Sequence, residues 1–176
     1  FSRENNASCY RCHFAQDFVA HLTDENYDAA NFEPEGELAD ITCATCHDPH
    51  GNENPGNLRV PLSSEGSICD ECHNAHITEV DINKTPHHTT SEIMSGSELF
   101  GYQYEGVEYE NSFHVNLNDR CITCHVHTKP YDYASGSEAV TGHTFEPSVE
   151  ACQECHTDLT DFDYRSVQTE IKGLLD

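Results

Sequence analysis

All ten cysteines of this chain fall into five Cys-x-x-Cys pairs, and a histidine directly follows each pair. The runs are Cys9-Tyr-Arg-Cys12-His13, Cys43-Ala-Thr-Cys46-His47, Cys69-Asp-Glu-Cys72-His73, Cys121-Ile-Thr-Cys124-His125 and Cys152-Gln-Glu-Cys155-His156. Nothing else in the sequence constrains the fold as strongly. Disulfides would not require a histidine after every second cysteine. Zinc sites take four ligands, often from two such pairs, and five pairs divide badly into them. The chain has 13 histidines in 176 residues, so five out of five by chance is roughly a one-in-10⁵-to-10⁶ event.

Cys-x-x-Cys-His is the attachment signature of c-type haem. Two thiols three residues apart on one turn reach the two vinyl groups on one side of a porphyrin, and the adjacent histidine reaches the iron from one face. The expectation is five covalently attached haems. Thioethers form at Cys9, Cys12, Cys43, Cys46, Cys69, Cys72, Cys121, Cys124, Cys152 and Cys155, with His13, His47, His73, His125 and His156 as proximal iron ligands. Such attachment needs reduced thiols outside the cytoplasm. The expected location is therefore extracellular or at the cell surface, with the periplasm as alternative. The first residue is Phe1, which suggests export with a cleaved signal peptide.

Haem also accounts for the composition. Hydrophobic residues are 36 %, Trp is absent and Met94 is the single methionine. A chain of this length normally buries more hydrocarbon to offset its conformational entropy, and porphyrins can supply the missing core. The expected fold is mostly irregular coil with a few short α-helices and minimal β-structure, a haem-cored multihaem architecture forming a single pentahaem domain over residues 1–176. The motifs begin at positions 9, 43, 69, 121 and 152, with no strict repeat.

Three helices can be argued. Phe14, Phe18, His21 and Leu22 share one helical face. Thr85 and Pro86 suit a helix start and Gly96 its end. Val167, Ile171 and Leu174 recur on one face near the C-terminus. Gly101–Tyr109 alternates partly and fits a short hairpin around Glu105-Gly106. Sequons at Asn6 and Asn83 are no more frequent than chance predicts.

The formal net charge is −24, from 32 acidic and 8 basic residues. That excludes nucleic acid as a partner, since phosphate recognition needs clustered Lys and Arg, and argues against an anionic membrane surface. No run approaches the roughly 18 apolar residues of a transmembrane segment. The clusters Asp24-Glu25, Glu33 to Glu37 and Asp158 to Asp163 offer carboxylates to Ca²⁺, the one further cofactor considered. None matches an EF-hand loop, and solvated loops are the simpler interpretation.

Each iron needs a sixth ligand or an open face. Met94 suits helix packing better than ligation. Eight histidines lie outside the motifs: His21, His50, His76, His87, His88, His114, His127 and His143. Five suffice for bis-His ligation throughout, leaving three over. His50 follows His47 by three residues across Pro49, too close to bind the same iron from the opposite face, so it must serve a neighbouring haem. His76 stands at the same spacing from His73. His114 and His143 precede their motifs by seven and nine residues, room for a loop to pass a haem edge. His87 and His88 are adjacent and can bind two different irons. His21 shares the Phe14/Phe18 face. His127, two residues after His125, is more simply a non-ligand.

Three stretches carry a family resemblance: Cys43-Ala-Thr-Cys-His-Asp-Pro-His-Gly51, Pro86-His-His88 followed by Met94 and Gly96, and Gly142-His-Thr-Phe-Glu-Pro147 leading to Cys152. With them the chain resembles the multihaem c-type cytochromes of metal-respiring microbes, in particular the small extracellular cytochromes that polymerise into haem-lined filaments, or nanowires. The resemblance implies distal ligation by His50, His87 or His88, His114 and His143. It makes His76 a reserve ligand and His21 a candidate for donation across a subunit boundary. It also implies identical subunits as partners, together with redox proteins or extracellular electron acceptors.

The expected function is electron transfer through five closely packed bis-His haems, the redox work being the cofactor's, as a filament subunit in long-range extracellular transfer. The alternative is a soluble periplasmic shuttle. A reductase would need an iron with an open face. The Cys-x-x-Cys-Lys variant of multihaem nitrite reductases does not occur, and the chain is expected not to be an enzyme.

Overall fold

The computed structural model describes residues 7–63, 66–75, 83, 87–95, 105–108 and 112–176. It contains two compact units, Phe1–Arg120 and Cys121–Asp176. The architecture is mostly coil with short helices, as expected. Among the described residues strand pairing is limited to isolated antiparallel bridges, such as His47 with Leu58 and Lys129 with Val140.

In the first unit, helix α1 (Ala7–His13) carries the first motif. Helix α2 (Ala15–Thr23) follows after a break at Phe14, whose backbone is extended. The expected apolar face of α2 forms: Phe14 and Phe18 are buried, and Tyr10 stands edge-on to Phe14 at 5.0 Å. The same helix buries Asp17 completely. Burial raises the Asp17 carboxyl above its ordinary pKa, while the Tyr27 hydroxyl, 3.2 Å from both its oxygens, offsets part of that rise. In turn burial and the neighbouring carboxylate push Tyr27 up to about 12. Gln16 straps the loop beyond, donating to the Glu37 carbonyl and accepting from the Ala39 amide.

Helix α3 (Cys43–Cys46) is a single turn. Its buried Thr45 accepts the Thr42 amide at 3.0 Å, so the residues between the two cysteines cap their own turn. Helix α4 (Thr90–Ser95) lies within the stretch expected from 85 to 96 and is shorter. The proposed cap and stop at Thr85, Pro86 and Gly96 lie outside the described residues, as do Asn6 and most of the 101–109 hairpin. Of that hairpin Glu105 and Gly106 form a turn, with Gly106 at φ 79.

The second unit holds α5 (Cys121–His125), α6 (Val149–Gln153) and α7 (Val167–Leu175). Ser148 caps α6 by accepting the Ala151 amide. A loop from Lys129 to Val140, closed by bridges at Lys129–Val140 and Asp132–Ser137, has no counterpart among the sequence-based expectations. Val167, Ile171 and Leu174 do share α7, but on an exposed face.

Several acidic side chains serve the chain itself. Asp24 and Asp28 accept amides two residues on, as does Asp161. Asp163 caps α7, accepting the Gln168 amide at 2.8 Å and the Thr169 hydroxyl. The Thr169 bond holds its pKa below the usual carboxylate value. A depressed folded pKa means that the cap stabilises the fold above the unfolded pKa and is lost as pH falls through the folded value. The Gln168 and Thr169 amide shifts of the reduced, diamagnetic protein should therefore titrate together in that acid range. In Asp163→Asn the titration should vanish. A titration that survives the substitution would assign the cap elsewhere.

Candidate haem centres

The five motifs share one local shape. The first and fourth lie inside α1 and α5. In the second, third and fifth the histidine amide donates back to the carbonyl of the first cysteine, His47 to Cys43 at 2.8 Å, His73 to Cys69 at 2.9 Å and His156 to Cys152 at 2.8 Å. Each motif is thus one helical turn closed from residue i to i+4. On such a turn side chains three and four apart share a face. Both sulfurs and the imidazole therefore face one way, as double thioether attachment with axial ligation requires. The donor set and its local geometry fit c-type haem.

Second partners orient several imidazoles. The Nδ1 of His47 meets the Gly56 carbonyl and that of His125 meets the Phe145 carbonyl at 2.9 Å. A carbonyl accepts only, so Nδ1 carries the proton and Nε2 keeps its lone pair for a metal. This is the usual arrangement of a metal-binding histidine. Outside the motifs, Nδ1 of His143 meets the Thr141 carbonyl and is fixed in the same way, while Nδ1 of His114 meets the Ser112 hydroxyl, which can donate or accept, both at 2.9 Å.

In the first unit the loop after the second motif folds back on it. The Asp48 amide donates to the Asn57 carbonyl and the Arg59 amide to the Cys46 carbonyl. Arg59 Nε reaches the Ala44 carbonyl at 3.0 Å. These bonds carry Gly56, at φ 64, beside the His47 ring. His50 sits exposed in this loop, its amide on Asp48.

The first and third motifs come together. The Cys12 sulfur lies 3.9 Å from the carbonyl of Glu71, inside the third motif. Around this contact the His88 ring lies 6.4 Å from that of His13 and 5.8 Å from that of His73. The His87 and His88 rings are 3.9 Å apart, and the ligating atoms of His13, His87 and His88 lie within 4.8 Å of one another. His21 is near the same place, Nε2 3.8 Å from Glu71, with its pKa lowered mainly by burial and then by Arg11. Asp70, inside the third motif, receives Ser67, Ser91 and the buried Arg120. His76 lies outside the described residues.

In the second unit the segment from Val140 to Phe145 wraps the fourth motif. Gly142 has φ 70, and a Cβ there would stand 2.6 Å from the Val126 carbonyl carbon. That close approach places His143 and the Phe145 carbonyl next to His125 and His127. Burial, then Cys152, Cys121 and Cys155, raises the Cys124 thiol, so the fourth and fifth attachment turns are neighbours. Beside the fifth motif a cavity of about 460 Å³ is lined by Cys155, His156, Leu159, Tyr164 and Arg165 among others. Cofactor clefts fall in the range of about 300–1,000 Å³. The Tyr164 ring lies 4.6 Å from that of His156.

The division of the chain also sorts the histidines. Residues 1–120 contain three motifs and six further histidines, whereas residues 121–176 contain two motifs with only His127 and His143 besides. The surplus read from the sequence belongs wholly to the first unit. Only the unit boundary exposes this.

Comparison with known proteins agrees with the local chemistry. A family model described as a doubled CXXCH motif matches residues 36–78, which span the second and third motifs. The match supports a multihaem c-type cytochrome that binds haem covalently and transfers electrons. No curated protein and no solved structure matches the chain. No helix among the described residues is long and apolar enough to cross a membrane.

Proposed function

We propose that this chain is a pentahaem electron conductor, in which five covalently held, bis-His haems pass electrons without bond-making chemistry at any iron. The observation that carries this is the repetition of one closed Cys-x-x-Cys-His turn five times, with the turns gathered side by side within each unit. When bound, each haem supplies a one-electron ferric/ferrous couple. The chain's residues hold, orient and shield. Ten cysteines anchor the porphyrins. The Gly56 and Phe145 carbonyls fix the proximal His47 and His125, which makes these imidazoles stronger donors. Arg165 and Tyr164 line the place of the fifth haem, where a guanidinium suits propionate.

For distal ligands, His114 and His143 have the best-oriented rings, with His50, His87 and His88 beside them and His21 and His76 in reserve. If the second unit caps its own two irons, His127 joins His143. Single changes of His50, His114 and His143 to alanine should each convert one haem equivalent from low to high spin, read by electron paramagnetic resonance. An unchanged low-spin spectrum would remove that residue from the set. Tight carbon monoxide or cyanide binding by the unmodified protein would point instead to an open iron and a reductase.

The finer proposal, resting on the family resemblance, is assembly of exported subunits into an extracellular filament. Electron microscopy of the native protein tests it. Filaments with a continuous haem chain would establish a wire. Compact monomers would leave the soluble periplasmic shuttle, steered to basic partners by its acidic surface.

A further inference from the structure

Two imidazoles on opposite faces of one iron have ligating nitrogens about 4 Å apart, since each metal–nitrogen bond is about 2 Å, and ring centroids roughly 6 Å apart. Within the pair His87-His88, the His88 ring satisfies the centroid distance toward two attachment turns and lies 6.4 Å from that of His13. The ligating atoms of both lie within 4.8 Å of that of His13. The His88 ring is 5.8 Å from that of His73, at 77°. One imidazole nitrogen closes one iron. The assignment that gives both proximal histidines a partner sends His87 to His13 and His88 to His73.

The backbone is arranged for it. His88 has φ 53, a left-handed conformation unfavourable for a residue with a side chain, of the kind found at ligand clamps. Beyond it the chain is tied to the third motif. The Ser91 amide donates to the His73 carbonyl at 2.9 Å, the Ser91 hydroxyl donates to Asp70, and Glu92 accepts the Ala75 amide at 2.9 Å. These bonds hold the dipeptide over the His73 turn. The Cys12 sulfur, 3.9 Å from the Glu71 carbonyl, brings the His13 turn alongside.

We propose that the His87-His88 dipeptide closes two irons at once, His87 on the haem held by Cys9, Cys12 and His13, and His88 on the haem held by Cys69, Cys72 and His73. The assignment rests on the reading that both turns carry haem. It makes the dipeptide a covalent tie between two redox centres, with ligand rings 3.9 Å apart, and so a fixed step for electron exchange.

The test is a spin count on the ferric, fully loaded protein and its His87→Ala, His88→Ala and doubly substituted forms. Each single change should convert one low-spin haem equivalent to high spin, and the double change two. A silent single variant, or a double variant that converts only one, overturns the proposal, because the two histidines would then serve a single iron. His87→Met and His88→Met keep a sixth ligand and so guard against misfolding. Each should raise the midpoint potential of one haem, as thioether replaces imidazole; no shift in either overturns the assignment. The allocation is read in a Cys9→Ser/Cys12→Ser protein carrying one haem fewer by intact mass. There His87→Ala should be silent while His88→Ala still converts one haem, and the reverse result overturns it. Failure of the underlying reading looks different: peptides containing Cys9–Cys12 or Cys69–Cys72 would lack the haem mass in the unsubstituted protein.

Discussion

Made without haem attachment, the chain should show no cooperative unfolding transition, a collapsed spread of amide resonances and rapid proteolysis throughout. Among the described residues the buried apolar side chains are Phe14, Phe18, Leu58, Ile68, Ala75 and Ala151, two of them alanines. That is far less hydrocarbon than a chain of this length needs against its conformational entropy. A net charge of −24 adds self-repulsion to any compact state. On the proposed reading the porphyrins act as that core. Haem loading should convert the protein from disordered to cooperatively folded, as structural metals do in small metalloproteins. Circular dichroism and proton–nitrogen correlation spectra of the protein made with and without the attachment machinery would show it. A dispersed spectrum and a sharp melt in the haem-free chain would mean that side chains alone specify the fold.

Gly142→Ala should be the most damaging single-atom change in the second unit, at about 2–5 kcal/mol. A side chain in the left-handed region costs about 1–2 kcal/mol, and overpacking adds about 1–3 kcal/mol. Both apply here, because the new Cβ would meet the Val126 backbone at 2.6 Å. Backbone cannot swing aside as a flexible side chain does. Gly136 is the control: its φ is 75, but a Cβ there meets nothing within 4 Å, so Gly136→Ala should cost only about 1 kcal/mol. Denaturant titration of the loaded protein separates the two. Gly142→Ala should also disturb haem spectra, since the displaced loop carries His143 and the carbonyl that orients His125. Equal costs for the two changes would remove the close approach as the cause.

Different physical ranges explain which features were legible in the sequence. The attachment turns were, because i, i+3 and i+4 are neighbours on any helical turn whatever surrounds them. Helix α2 was legible from the spacing of Phe14, Phe18 and Leu22, and α7 from Val167, Ile171 and Leu174. The Lys129–Val140 loop was not: its ladder consists of two isolated bridges without strand-like alternation. The buried Asp17 was equally hidden, since only the approach of Tyr27 makes a carboxylate tolerable there.

By itself the amino-acid sequence determined the five Cys-x-x-Cys-His turns, whose chemistry suits covalent haem, and a composition poor in hydrocarbon side chains. Those properties are written in contiguous residues and in composition. Tertiary structure alone decided that the first and third motifs meet at Cys12 and Glu71, that His88 stands near both His13 and His73, and that Gly142 presses on the fourth motif. Axial partnership is a distance of a few ångströms between residues far apart in the chain, and such distances are set by how the turns pack, which no local pattern encodes.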